Sequence, residues 1–241
     1  MAIDEERPRP RLGASAAYQQ IKHMILTGAL GPGAEIREAQ LMAMTGLGRT
    51  PVRDALGRLV VEGLVEVRPR QGYRVAVVTL DSVRELFEMR RLLEPAAIEL
   101  AIERADDADL AELVELARRT YDRHDPDSYD QFLSDNRELH SRLAWLSGNE
   151  RLARALGALL EETQRLYYVS FDGRTAVEQL HEHAELFDAV VERDAPRARR
   201  IAEEQIESSR EAILRHFIAA GHRPVGRAGS FVLAGGSPAR T

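Results

Sequence analysis

Two arginines four residues apart carry the first recognisable chemistry in this chain. Arg49 and Arg53, with Thr50 beside them, stand just after Gly48. Pro51 lies between them, and proline is tolerated only in a helix's first turn, so these residues open a helix. Side chains four apart project from one helical face. A guanidinium fork placed there grips guanine O6 and N7, or a phosphate. A second basic group, Arg68, Arg70 and Arg74, surrounds Gly72, where the lack of a side chain lets a ligand approach the backbone.

A third set is made of histidines and amides. On a wheel of about 100° per residue, Asn136 and His140 fall within the arc of Phe132, Leu133, Leu139, Leu143 and Leu146, with Asp135 at its edge. His183 lies among Val177, Leu180, Ala184, Leu186, Phe187, Val190 and Val191. Gln205 and Ser209 share a stripe with Ile201, Ala202, Ile206 and Ile213. Three helices thus each aim polar groups at a core. A buried polar group without a partner costs about 1–3 kcal/mol, so these groups need one. They could satisfy one another, hold water, bind a small ligand or chelate a metal.

The elements that must position these residues follow from periodicity. Tyr18, Ile21, Ile25 and Leu26 recur at helical spacing from about Ala14, and Gly28 to Gly33 ends that run. A short helix fits Glu38 to Thr45, with Gly46 as its turn. The next begins at Gly48 to Pro51, turns Val52, Ala55, Leu56, Leu59 and Val60 inward and stops at Gly63. Two alternating segments, 64–68 and 73–77, flank Pro69 to Gly72 and predict a β-hairpin. Beyond Asp81 the pattern is helical over 81–104, 107–123, 127–147, 150–171, 175–193 and 195–219. The expected fold is mostly α: an N-terminal winged helix-turn-helix of three helices plus a hairpin, joined to an all-α bundle of six or seven helices. The expected division is a disordered arm over 1–13, the winged helix over 14–78, the helical domain over 79–221 and a flexible tail over 222–241.

Charge separates along the same line. Residues 1–78 hold eleven Arg and Lys against eight Asp and Glu, about +3 in a chain of net charge −6, so the remainder carries about −9. A basic head on an acidic body suits a head that faces polyanions. With no cysteine, disulfides, thiolate metal sites and cysteine nucleophiles are excluded. Met1 to Pro10 has no apolar signal core and no run is long enough to span a bilayer, so a cytoplasmic protein without a membrane partner is expected.

The stretch Gly46-Leu47-Gly48-Arg49-Thr50-Pro51-Val52-Arg53-Asp54-Ala55-Leu56 resembles the recognition-helix motif of the GntR family of bacterial repressors. Pro32-Gly33, Glu62-Gly63-Leu64 and Arg70-Gln71-Gly72 resemble the rest of its signature. The resemblance implies DNA contacts by Arg49, Thr50 and Arg53, and by Gln71 and Gly72 at the wing tip. Gly48 stands where the family has a capping Ser or Thr. Met89 to Pro95, Asn136 to His140, Leu146 to Leu152, and His183 with Asp194 resemble the effector-binding FCD domain of the FadR-type branch. In its metal-binding members an Asp or Asn and three histidines are the ligands, which correspond here to Asn136, His140, His183 and Gln205. Two imidazoles are kept, the third is an amide, and a divalent zinc, manganese or nickel ion is a possible but weakly held cofactor. Other members bind organic effectors, and Arg90 could pair with the carboxylate of such an effector or equally form a surface or interhelical ion pair.

The function expected is a ligand-responsive transcription regulator, a homodimer on a palindromic operator in double-stranded DNA, with a small organic acid as effector. Two alternatives stand beside it. One is a metal-dependent enzyme using His140 and His183; it is disfavoured because no carboxylate lies inside the three arcs as a general base and the head would have no role. The other is a DNA-binding protein with a purely structural body.

Overall fold

A computed structural model describes residues 12–117, 126–170 and 183–219 of the chain. The expected arm, apart from Leu12 and Gly13, and the expected tail lie outside the described residues. The chain parts between Val77 and Val78 into two compact units.

In the first unit α1 (Leu12–Leu26), which starts two residues before the first helix signal, buries Ala17, Tyr18, Ile21 and Ile25 along one face. Their partners are Val52, Ala55, Leu56 and Leu59, the inward stripe of α3 (Arg49–Val61). Polar contacts tie the two helices together. The Tyr18 hydroxyl donates to Glu62 Oε1 at 2.7 Å, Lys22 Nζ reaches Glu62 Oε2 at 3.0 Å, and the Arg58 guanidinium stacks 3.7 Å over the Tyr18 ring. Between them α2 (Glu38–Thr45) ends where Gly46 takes the left-handed conformation, φ 69°, and its N–H bonds to Met42 O. Only a residue without Cβ enters that conformation freely, which makes the turn into α3 tight.

The hairpin forms as β2 (Val65–Arg68) and β3 (Gly72–Val75). It is joined by a strand that periodicity does not reveal. The two residues of β1 (Glu35–Ile36) pair antiparallel with β3, Glu35 opposite Arg74 and Ile36 opposite Tyr73, in the order β1-β3-β2. Two residues are too short for any alternation; the strand exists because β3 offers it an edge and Ile36 is fully buried. This strand also explains Gly72. Its φ is +101°, and a Cβ would meet Ile36 O at 2.9 Å. Gly72→Ala is therefore expected to destabilise the fold by about 1–3 kcal/mol, seen as a lower melting temperature in the absence of DNA. An unchanged melt would show that β1 does not hold against β3.

The second unit is all helix among the described residues: α4 (Leu80–Arg104), α5 (Asp107–Ala117), α6 (Pro126–Leu146), α7 (Glu150–Ser170), α8 (His183–Val191) and α9 (Ala195–Ala219). The mostly helical fold with a small hairpin is thus as expected. A reciprocal cap starts α4: the Ser82 N–H donates to Thr79 Oγ1 and the Thr79 N–H to Ser82 Oγ. Arg193 ties the far end of α4, donating to the carbonyls of Ile102 and Ala105 and pairing with Asp107.

Four apolar clusters lie among the described residues of this unit, and two of them are large. One gathers Ile98, Ala101 and Ile102 with Leu110, Leu113, Leu139, Leu143, Leu186, Phe187, Val190 and Ile201. The other gathers Val83, Leu86 and Phe87 with Leu166, Ile206, Ile213 and Phe217. On α4 the residues between Phe87 and Ile98 that turn inward include Arg90 and Glu94, both buried. The core is therefore interrupted by a polar layer.

Candidate nucleic-acid face and a buried polar cluster

At the start of α3 both arginines point outward, with Arg49 71% and Arg53 63% exposed at the side chain. The helix places them there because Val52, Ala55 and Leu56 take the inward positions. One carboxylate serves both: Glu38 Oε2 lies 3.6 Å from Arg49 Nε, and Glu38 Oε1 lies 3.2 Å from Arg53 Nε. Thr50 is exposed beside them. Gly48 is the N-cap in extended conformation and has no side chain to cap with. A Cβ there would meet nothing within 4 Å, so the fold does not require glycine at this position. At the hairpin tip Gln71 is exposed and Gly72 half-buried. Arg68 and Arg70 are exposed, whereas Arg74 pairs with Glu66 at 2.7 Å. This face offers guanidinium groups to solvent with a backbone that supports them, which suits a polyanion.

The buried layer has Glu94 at its centre. Arg90 Nε and Nη2 both donate to Glu94 Oε2, at 3.0 and 2.8 Å. His140 Nδ1 lies 2.7 Å from the other oxygen, Oε1. That carboxylate faces the ring from its Nδ1 side. Arg90 Nη1 is 3.5 Å from Thr163 Oγ1, and Thr163 in turn donates to Leu159 O. Tyr167 donates to Ser209 Oγ at 2.9 Å and also faces Arg90. Burial by itself pushes the Glu94 carboxyl up, but the Arg90 guanidinium and then His140 outweigh it and hold the group at about 2. Burial raises the Tyr167 hydroxyl above its ordinary value.

Of the expected effector residues, Arg90 and His140 are brought together, through Glu94. Asn136 sits one turn before His140, and its Oδ1 is buried with no hydrogen-bond partner among the described residues. Gln205 is half-buried on α9, one turn before Ser209. Asp135, at the edge of the sequence wheel, is buried and accepts from Gln131. His183 begins α8, but its side chain lies outside the described residues.

Sequence reasoning missed Glu94, Thr163 and Tyr167. The available signal was on α4, where Phe87, Arg90, Glu94, Ala97 and Ala101 keep a three-and-four spacing, so that Arg90 and Glu94 occupy core positions. Glu94 comes from α4, outside the three helices whose arcs hold no carboxylate, and its charge is already met by Arg90.

The metal expectation is met by few donors. Among the described residues no group of three or more His, Asp or Glu converges as a metal site. His140 Nε2 and the neutral Asn136 Oδ1 do not by themselves fit a tightly held zinc, manganese or nickel ion.

Comparison with known proteins covers both units. The family model for bacterial regulatory proteins of the gntR family matches residues 14–75, and that for the FCD domain matches residues 85–208. An HTH-type transcriptional regulator in an unstable DNA locus of Streptomyces ambofaciens is 34% identical over 187 residues, 76% of this chain and 77% of that protein. The Nta operon transcriptional regulator of Aminobacter aminovorans is 31% identical over 152 residues, 63% of this chain and 72% of its own. The structure of Escherichia coli McbR/YncC superposes with a TM-score of 0.74 at 25% identity, covering 86% of this chain and all of that one (100%).

Proposed function

This chain belongs to the GntR family of bacterial regulatory proteins and carries an FCD domain, and we propose from that premise that it holds a palindromic operator as a homodimer under the control of a small organic acid. It is a transcription regulator of the DNA-binding kind and not an enzyme. The observation that carries the proposal is the pair of exposed guanidiniums, Arg49 and Arg53, one turn apart at the start of α3. Arg49, Thr50 and Arg53 meet the major groove, where a recognition helix presents its first turn. Gln71 and Gly72 bring the wing to the backbone. Two copies related by a two-fold axis match the two half-sites of a palindrome. A target in chromosomal DNA puts the site of action in the cytoplasm, and no helix among the described residues is long and apolar enough to cross a membrane.

The effector reading rests on the buried layer. Arg90 is a buried cation of this layer, paired with Glu94, and Asn136 Oδ1 is an acceptor with no donor among the described residues. Glu94 holds Arg90 through Nε and Nη2, so an incoming acid takes the Nη1 edge or displaces Glu94. His140 Nε2, Gln205 and His183 complete the set of groups proposed to meet the ligand. A divalent ion held by Asn136, His140 and His183 is the weaker reading, and no step of the proposed control runs through it. Binding between helices acts on operator affinity only through a difference in affinity for the two states of the dimer.

A panel of small organic acids tests this by thermal melting of the full chain. A true effector at a hundred times its Kd stabilises by about 2.7 kcal/mol, roughly 5–10 °C for a domain of this size. Arg90→Met should abolish that shift. If no acid in the panel moves the melt, the body is a structural module whose polar cluster satisfies itself.

A further inference from the structure

Glu38 is an acid at the place where this protein meets a polyanion. It lies in the first turn of α2, a helix N-terminus that favours a carboxylate. Its side chain is partly covered, and it gives one oxygen to each of the two arginines, 3.2 Å to Arg53 Nε and 3.6 Å to Arg49 Nε. The helix start accounts for an acid here, but ion pairs this exposed contribute little to folding, so stability does not account for its pairing with both arginines. Nor does raw affinity: duplex DNA attracts cations and repels a carboxylate, and a neutral residue at this position would strengthen every phosphate contact.

The geometry points to a different use. We infer that Glu38 is a specificity-determining residue of the DNA-binding face, fixing Arg49 and Arg53 for base edges and penalising their use on phosphates. This rests on the reading of Arg49 and Arg53 as DNA contacts. The approach is through Nε, the nitrogen next to the aliphatic stem, which leaves the outer Nη1–Nη2 edge of each fork to grip guanine O6 and N7. An arginine paired from behind is biased away from the nearest phosphate. On a duplex of the wrong sequence the forks find no matching bases, and the carboxylate then adds only repulsion. On the right sequence the same carboxylate supports two arginines already aimed. The residue therefore weakens non-specific binding more than specific binding, and the ratio of the two governs function on a chromosome.

The test uses the full chain and DNA selected by the wild-type protein from a randomised duplex library. Binding of wild type and Glu38→Gln is measured on the selected duplex and on a scrambled duplex of equal composition, at several salt concentrations. Glu38→Gln should bind the scrambled duplex about 5- to 20-fold more tightly, with a steeper salt dependence, because one repelling charge is gone. Affinity for the selected duplex should change less than about threefold, so the ratio collapses. Glu38→Asp keeps the charge but cannot span both arginines; its ratio should also fall, without the gain on scrambled DNA. A ratio that stays within twofold of wild type in both variants overturns the inference. If instead the wild type enriches no sequence at all, the operator-binding reading falls and this one falls with it.

Discussion

Replacing Glu94 by glutamine is expected to lower the unfolding free energy by about 3–5 kcal/mol, because it leaves the Arg90 charge buried and uncompensated. Glutamine keeps the volume, so the loss is electrostatic and no cavity opens. Arg90 loses two charge-assisted hydrogen bonds at once, and the His140 ring loses the carboxylate that orients it. The consequence should be a melting temperature lower by roughly 10 °C or more. Removing both charges, Arg90→Met with Glu94→Gln, should recover most of the loss, since a buried pair replaced by neutral groups of like volume is often neutral or better. The pH dependence carries a sign. The folded carboxyl is held at about 2, below the ordinary carboxylate value. Its contribution is therefore complete above about pH 4.5 and lost as the pH falls towards 2. Wild type should lose stability over that interval more steeply than Glu94→Gln. If the single substitution costs under about 1 kcal/mol, the layer is open to water and the cluster described here does not exist in solution.

What the sequence made visible and what it hid divide along a physical line. The end of α2 at Thr45 could be read because it is local chemistry, with Gly46 as the exit. The hairpin was legible from its alternation, and the wheel of α6 placed Leu133, Leu139, Leu143 and His140 on one side, where all four are buried. β1 was hidden because a two-residue strand has no pattern of its own and depends on β3 across the sheet. The polar layer was hidden for the same reason at larger scale. Arg90 meets Thr163 across 73 positions of sequence, and nothing local announces such a partner. The motif around Arg49 carried its own meaning, but Glu38 belonged only to a helix start until the fold set it between two arginines. Asp135 shows the limit of a single-helix wheel, since burial at the edge of an arc is decided by the neighbouring helices.

The second large effect belongs to the head. Arg49→Ala and Arg53→Ala should each weaken binding to the selected operator by about 1–3 kcal/mol, roughly 5- to 150-fold. Neither should move the melting free energy by more than about 0.5 kcal/mol, since the inward face of α3 is Val52, Ala55, Leu56 and Leu59 and the arginines are outside it. The pattern of loss separates two kinds of contact. An arginine on guanine loses discrimination at one position of the site, whereas one on phosphate weakens every sequence alike and lowers the salt slope by about one. The two losses should also fail to add. Each alanine frees Glu38 to hold the remaining arginine more closely, so the double variant should deviate from the sum of the singles, as side chains sharing one partner do. Full operator affinity in both single variants would move the recognition surface away from α3, because no other element of this unit presents two guanidiniums one helical turn apart among the described residues.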